Sequence, residues 1–230
     1  MSRLNNLARG PLLCYVTDGH SLFSAGARTS PKTLLLKIEA AAAAGVDWIQ
    51  IREKELLGRD CALLTQESLQ RAAKSAASNS APLRIVVNDR LDVALSERAG
   101  GVHLGEKSLP LLEAKRLVNA VAGDEDFLIG VSCHSLEAAR SAGSDGADYL
   151  FFGPVFATPL KAGFGAPQGL ERLAEVCQAV SIPVLAIGGI TLANASDCLA
   201  AGASGIAAIR LFQDARDMSF VVQSLRKQAR

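Results

Sequence analysis

AAAAGVDWIQIREK, residues 41–54, passes from an alanine-rich helix end through a glycine turn into an apolar run, and closes on polar and charged side chains. Glycine enters the left-handed conformation that ends helices without steric cost, so a helix stopping at Gly45 and leading straight into a strand is the αβ half of a repeating unit. SERAGGVHL (96–104), AGSDGADYL (142–150) and AAGASGIAA (200–208) repeat the junction. Such recurrence predicts helices alternating with parallel strands, each strand buried on both faces.

Outward from these junctions, short runs rich in Val, Ile, Leu and Phe place strands near 12–17, 47–52, 84–88, 100–104, 127–131, 148–152, 183–187 and 205–209. Helices are expected near 32–45, 58–79, 90–98, 109–122, 135–145, 168–180, 191–201 and 214–228. Ser30-Pro31, Pro110 and Ser135 stand where caps and first-turn prolines belong. The layout predicts an α/β chain forming a single (β/α)8 TIM barrel over 1–230, with residues 1–10 a flexible extension. Two long connections, 19–31 (GHSLFSAGARTSP) and 153–167 (GPVFATPLKAGFGAP), read as lids or binding loops.

A net charge of +1, from 24 basic and 23 acidic side chains, provides no broad field for nucleic acid or an anionic membrane surface. Anion binding must therefore be local. Nowhere do eighteen apolar residues run together, and the opening MSRLNNLARGPLLCYV does not read as a secretory signal. Cys14, Cys61, Cys133, Cys177 and Cys198 show no metal-ligand spacing, so reduced thiols and a cytoplasmic location are expected. Cys133 lies beside a strand end and reads as a small apolar filler rather than a nucleophile.

Most of the strand runs end in residues suited to phosphate. Gln50, Arg52 and Lys54 alternate, so strand geometry aims them to one side while Ile51 and Glu53 point away. A guanidinium fork beside a point-charge ammonium suits a diphosphate. Asn88 and Asp89 close the third run; the carboxylate suits Mg²⁺, and equally the cap of a helix beginning at Arg90. His103 and His134 end the fourth and fifth runs, His103 as a packed and hydrogen-bonded side chain, His134 after Ser132 as a proton shuttle. Thr158 and Lys161 sit among glycines after the sixth run. Gly188 and Gly189, with the backbone at Ile209 and Arg210, form the cradle that loops seven and eight of a barrel make for a phosphate.

In order along the chain, YVTD (15–18), QIREK (50–54), VVNDRLDVAL (86–95), GVHLG (101–105), IGVSCHSLEAA (129–139), GADYLFFGPVFATPLK (146–161), PQGLERL (167–173), IPVLAIGGIT (182–191) and AGASGIAAI (201–209) resemble the thiamine phosphate synthase and TenI-type thiazole tautomerase superfamily. The resemblance implies condensation of hydroxymethylpyrimidine diphosphate with hydroxyethylthiazole phosphate, with Mg²⁺. It assigns Gln50, Arg52, Lys54, Asn88, Ser132, Thr158 and Lys161 to the pyrimidine diphosphate and Asp89 to the metal. Gly188, Gly189, Ile209 and Arg210 fall to the thiazole phosphate. The chain departs from the pattern at Ser108, where a second metal aspartate is usual and Glu106 is the nearby carboxylate, at Leu160 in the T-x-T-K loop, and at Arg210. The tautomerase branch needs neither metal nor diphosphate and makes His134 its acid-base residue. A non-catalytic thiazole-phosphate-binding regulator is the further alternative, and apolar helix faces permit a homodimer.

Overall fold

The computed structural model describes residues 10–22, 31–75, 83–121, 126–158 and 166–228. Residues 1–9 of the proposed 1–10 extension, most of the 19–31 connection, and Leu160 and Lys161 lie outside the described residues.

The strands β1 (Leu12–Val16), β2 (Trp48–Ile51), β3 (Arg84–Asn88), β4 (Gly101–Leu104), β5 (Leu128–Cys133), β6 (Tyr149–Phe152), β7 (Val184–Ile187) and β8 (Gly205–Ala208) close in sequence order into a parallel barrel. β8 returns to β1 with Leu12 opposite Gly205, so no edge is left unpaired. Around it run α1 (Pro31–Ala44), α2 (Gly58–Ser75), α3 (Leu91–Ser96), α4 (Leu111–Val121), α5 (Leu136–Ser144), α6 (Gly169–Ala179), α7 (Ala195–Ala200), α8 (Arg210–Gln213) and α9 (Met218–Lys227). The expected barrel is thus the fold, with one correction. The helix expected over 214–228 is α9, which starts only at Met218, where the Asp217 side chain accepts from the Phe220 amide, and a short unexpected helix, α8, precedes it directly after β8.

The four repeated junctions share one hydrogen-bond pattern. Gly45, Gly146 and Gly202 have positive φ, and the residue after each donates back five positions: Val46 to Ala41, Ala147 to Ala142, Ala203 to Cys198. In the remaining junction Arg98, at φ 53, takes the glycine's place and Ala99 donates to Ala94. Each closure satisfies orphan helix carbonyls and tucks a small apolar residue beneath the next strand. Asp47 and Asp148 then accept from the Leu13 and Ile129 amides, tying each new strand's base to its neighbour.

Period-two alternation sorts the strand residues. Leu13, Tyr15, Ile49, Ile51 and Leu150 face the helices in the large outer core, whereas Leu12, Cys14, Val16, Trp48, Leu128, Tyr149, Phe151, Leu185 and Ala207 fill the barrel. Trp48, Tyr149 and Phe151 form a tilted aromatic column, with centroids 4.6 and 5.5 Å apart. Gly130 makes room for it, because a Cβ there would overlap the Tyr149 ring. Apolar filling at the base and polar residues at the strand C-termini leave one end of the barrel fit for chemistry.

Candidate active site

Gln50 continues the inward alternation begun by Trp48 and is 2% exposed, so its amide must be satisfied within the barrel. Its Nε2 donates to Asn88 Oδ1 at 2.8 Å, and Asn88 Nδ2 donates to Asp89 Oδ2 at 2.6 Å. Asp89 Oδ1 accepts from the Gly105 amide at 3.2 Å and from the Ser108 hydroxyl. This amide–carboxylate–hydroxyl chain joins the ends of β2, β3 and β4. Asp89 is held at φ 60, a left-handed backbone that aspartate tolerates better than most residues and that lifts the carboxylate onto the rim. Its expected capping role is overturned: α3 starts at Leu91 behind Arg90, with no side-chain cap.

His103 is 1% exposed, stacked on Phe151 at 4.1 Å between centroids, with Tyr149 Oη 3.2 Å from Nδ1 and Ser132 Oγ 2.8 Å from Nε2. Burial drives its pKa down to about 3, against the nearby Asp89 carboxylate, which raises it, and with Arg52, which lowers it. The imidazole is therefore neutral, and the two hydroxyls, each donor or acceptor, satisfy either tautomer. Arg52 and Asp89 both act on this buried ring, which places their charges at the same mouth.

Arg52 follows β2, half-buried, its amide donating to Thr17 Oγ1 at 2.9 Å. Among the described residues no hydrogen bond or ion pair holds its guanidinium. The expected alignment of Gln50, Arg52 and Lys54 along one strand face does not hold, because β2 ends at Ile51 and Lys54 sits exposed in the following turn. Nor does Glu53 point away. It folds back to accept from Thr17 Oγ1 at 2.6 Å and from the Gly19 amide at 2.9 and 3.0 Å.

His134 follows β5, its Nδ1 donating to the Gly153 carbonyl, which leaves Nε2 to face Glu106 Oε1 at 4.0 Å. Glu106 is thus turned toward β5. Cys133 is buried, and that burial, followed by the Glu106 charge, pushes its thiol up to about 11, as befits a filler. Thr158 is described and half-buried. Gly188 (φ 97) and Gly189 (φ 67) follow β7, where a Cβ would lie 2.5 Å from Pro154 Cβ and 2.6 Å from the Ala157 carbonyl oxygen respectively. The β6 and β7 loops are pressed together there. Ile209 precedes α8 and its side chain joins the barrel interior, while Arg210 is exposed at the first helical position.

Residues 16–212 match the family model described as thiamine monophosphate synthase. The chain belongs to that family. It is 46% identical over 186 residues to the thiamine-phosphate synthase of Methanoculleus marisnigri, covering 81% of this chain and 83% of the relative. To that of Chloroflexus aurantiacus it is 42% identical over 189 residues, 82% of each chain. Among solved structures it superposes on the thiamine phosphate pyrophosphorylase from Pyrococcus furiosus with a TM-score of 0.78 and 32% identity, over 97% of this chain and 98% of that one. The (S)-3-O-geranylgeranylglyceryl phosphate synthase from Thermoplasma acidophilum, at 14% identity and a TM-score of 0.66, shares the fold.

The oxygen donors at the rim determine whether the residues present would fit Mg²⁺. Among the described residues no three of His, Cys, Asp and Glu cluster as a cation site. Asp89 supplies one carboxylate with the Ser108 hydroxyl against it, and Glu106 is turned to His134. Mg²⁺ keeps most of its waters and takes one or two carboxylates plus substrate phosphate oxygens, so this hard-oxygen set fits an ion carried chiefly by a diphosphate.

Proposed function

We propose that this chain is a thiamine phosphate synthase, joining hydroxymethylpyrimidine diphosphate to hydroxyethylthiazole phosphate and releasing diphosphate. The observation that carries the reading, within the family assignment, is the half-buried Arg52 guanidinium, unpaired among the described residues, at the mouth that also presents the Gln50–Asn88–Asp89 chain.

In this reaction the methylene–oxygen bond of the pyrimidine substrate breaks, its electron pair leaves with the diphosphate, and the thiazole nitrogen lone pair forms the new carbon–nitrogen bond. No nucleophile or strong base is needed. The protein's task is to stabilise charge growing on the leaving group and to hold two rings in line. Arg52, with Lys54 in the same β2–α2 connection and with Lys161, receives the diphosphate. The Gln50 and Asn88 amides, with Ser132 and Thr158, orient the pyrimidine, and the His103 contact fixes the Ser132 hydroxyl. The bare amides at Gly188, Gly189 and after Ile209 take the thiazole phosphate. Asp89, backed by Ser108, would hold Mg²⁺, which when bound neutralises part of the diphosphate charge.

The test is turnover of both substrates with diphosphate release measured, with and without chelator. Loss of turnover on chelation and in Arg52→Ala supports the synthase. The Nε2 of His134, left facing the mouth by the Nδ1 contact with Gly153, favours a thiazole tautomerase as the second reading. Tautomerisation lost in His134→Ala, without diphosphate release in the coupled assay, would replace the synthase by that reading. Thiazole phosphate binding without either reaction would leave a regulator.

A further inference from the structure

Arg52 is the first residue beyond β2, where ladder hydrogen bonds no longer hold the backbone. Its amide is nevertheless fixed, by the hydroxyl of Thr17, which is fully buried. Thr17 in turn sits on the β1–β2 seam, its own amide donating to the Gln50 carbonyl at 2.9 Å. A threonine hydroxyl has one proton to give, and here it goes to Glu53 Oε1. Glu53 therefore decides the direction in which the Thr17 hydroxyl points, and so whether a lone pair faces the Arg52 amide.

Glu53 is itself clamped from the other side. The Gly19 amide divides its proton between both carboxylate oxygens, and the approach is so close that a Cβ on Gly19 would lie 2.6 Å from Glu53 Oε2. A side chain at 19 would push the Glu53 carboxylate out of this seat. Burial and the Asp18 charge raise the Glu53 pKa, opposed by the Thr17 and Gly19 bonds and by Arg52. A carboxylate drawn into a half-buried place beside an acidic neighbour, and held by two neutral donors next to a cation, is more than surface decoration.

Resting on the synthase reading for its chemical meaning, we propose that Glu53 is a positioning residue that acts through Thr17 to aim Arg52 at the leaving diphosphate. Glu53 touches no substrate. It orients the Thr17 hydroxyl, which holds the Arg52 backbone at the strand end.

The experiment is a double-mutant cycle of Glu53→Ala and Arg52→Ala, read both in kcat and in the affinity for inorganic diphosphate by calorimetry. Glu53→Ala is expected to lower both by roughly tenfold, the scale of a charge-assisted hydrogen bond, with KM for the thiazole phosphate unchanged. In the Arg52→Ala background the Glu53 substitution should have no further effect. Thr17→Val should reproduce the loss and Thr17→Ser should rescue it, a pair that settles the matter if Glu53→Ala fails to fold. Additive losses in the cycle, or equal activity of Thr17→Val and Thr17→Ser, would overturn the proposal and leave the synthase reading standing. If the wild-type protein binds diphosphate but turns over neither substrate pair, the synthase reading fails, and the cycle on diphosphate affinity still decides the role of Glu53. A wild type that binds no diphosphate overturns both.

Discussion

His103 Nε2 and the Ser132 hydroxyl lie 2.8 Å apart across the β4–β5 pair, with the Tyr149 hydroxyl 3.2 Å from Nδ1 on the other side. The ring is neutral because its pKa is held down to about 3 from 6.5, chiefly by burial. A folded pKa below the unfolded one means that the unfolded chain takes up the proton first. The contribution to stability is therefore fully present above pH 6.5 and is lost as pH falls from there toward 3. The unfolding free energy of the wild type should fall by ~1.4 kcal/mol per pH unit from this group over the interval. Denaturant titrations of His103→Asn should lack that slope; an unchanged slope would mean that His103 is not the buried base responsible.

Gly188 is the most exacting glycine of the proposed phosphate cradle. Alanine there meets Pro154 and must also adopt φ 97. Gly188→Ala is expected to raise the dissociation constant for thiazole phosphate by at least ~tenfold, through displacement of the β6 and β7 loops that meet at this point. Calorimetry with the thiazole phosphate alone checks this, and unaltered affinity would remove Gly188 from the cradle.

Ser108 stands against Asp89 where a second carboxylate would complete a cation pair. In Ser108→Asp two carboxylates face each other, so the variant without metal should be less stable than wild type and should regain its Tm on addition of Mg²⁺. The wild-type Tm should respond to Mg²⁺ only when diphosphate is also present. A wild-type response to Mg²⁺ alone would show that a single carboxylate already suffices.

Gln213 is 1% exposed and fully engaged: Oε1 accepts from Tyr15 Oη at 2.9 Å and the Asp18 amide at 3.1 Å, while Nε2 donates to the Asp18 carbonyl at 2.9 Å and Ser21 Oγ at 2.7 Å. It ties α8, after β8, to the 3-10 turn Gly19–Leu22 after β1. Gln213→Leu strands those partners and should cost roughly 1–3 kcal/mol, seen in chemical denaturation, with faster proteolysis near residues 18–22. Unchanged proteolysis would mean that Gln213 does not hold the turn.

Much of the site was legible because barrel chemistry is ordered along the chain: a polar residue one step past an apolar run lands on the same rim whatever the run. Gln50, Asn88, Asp89, Ser132, His134 and Gly188 do lie at or just past strand ends, as that ordering predicts. Glu53 and Lys54 were misplaced, since alternation applies only while the strand lasts and β2 stops at Ile51. Thr17 and Gln213 carried no local signal at all. Their roles come from partners 35 to 198 positions away.

By itself, the amino-acid order determined the barrel: the glycine or left-handed turns that close α1, α3, α5 and α7, and apolar runs too short for anything but buried strands, are local properties of the chain. Only tertiary closure decided which polar groups share protons. Bringing β1 beside both β2 and β8 sets Thr17 against Arg52 and Glu53, and Tyr15 against Gln213. Hydrogen-bond partnership depends on distances of a few ångströms between segments far apart in sequence, and those distances exist only once the cylinder is shut.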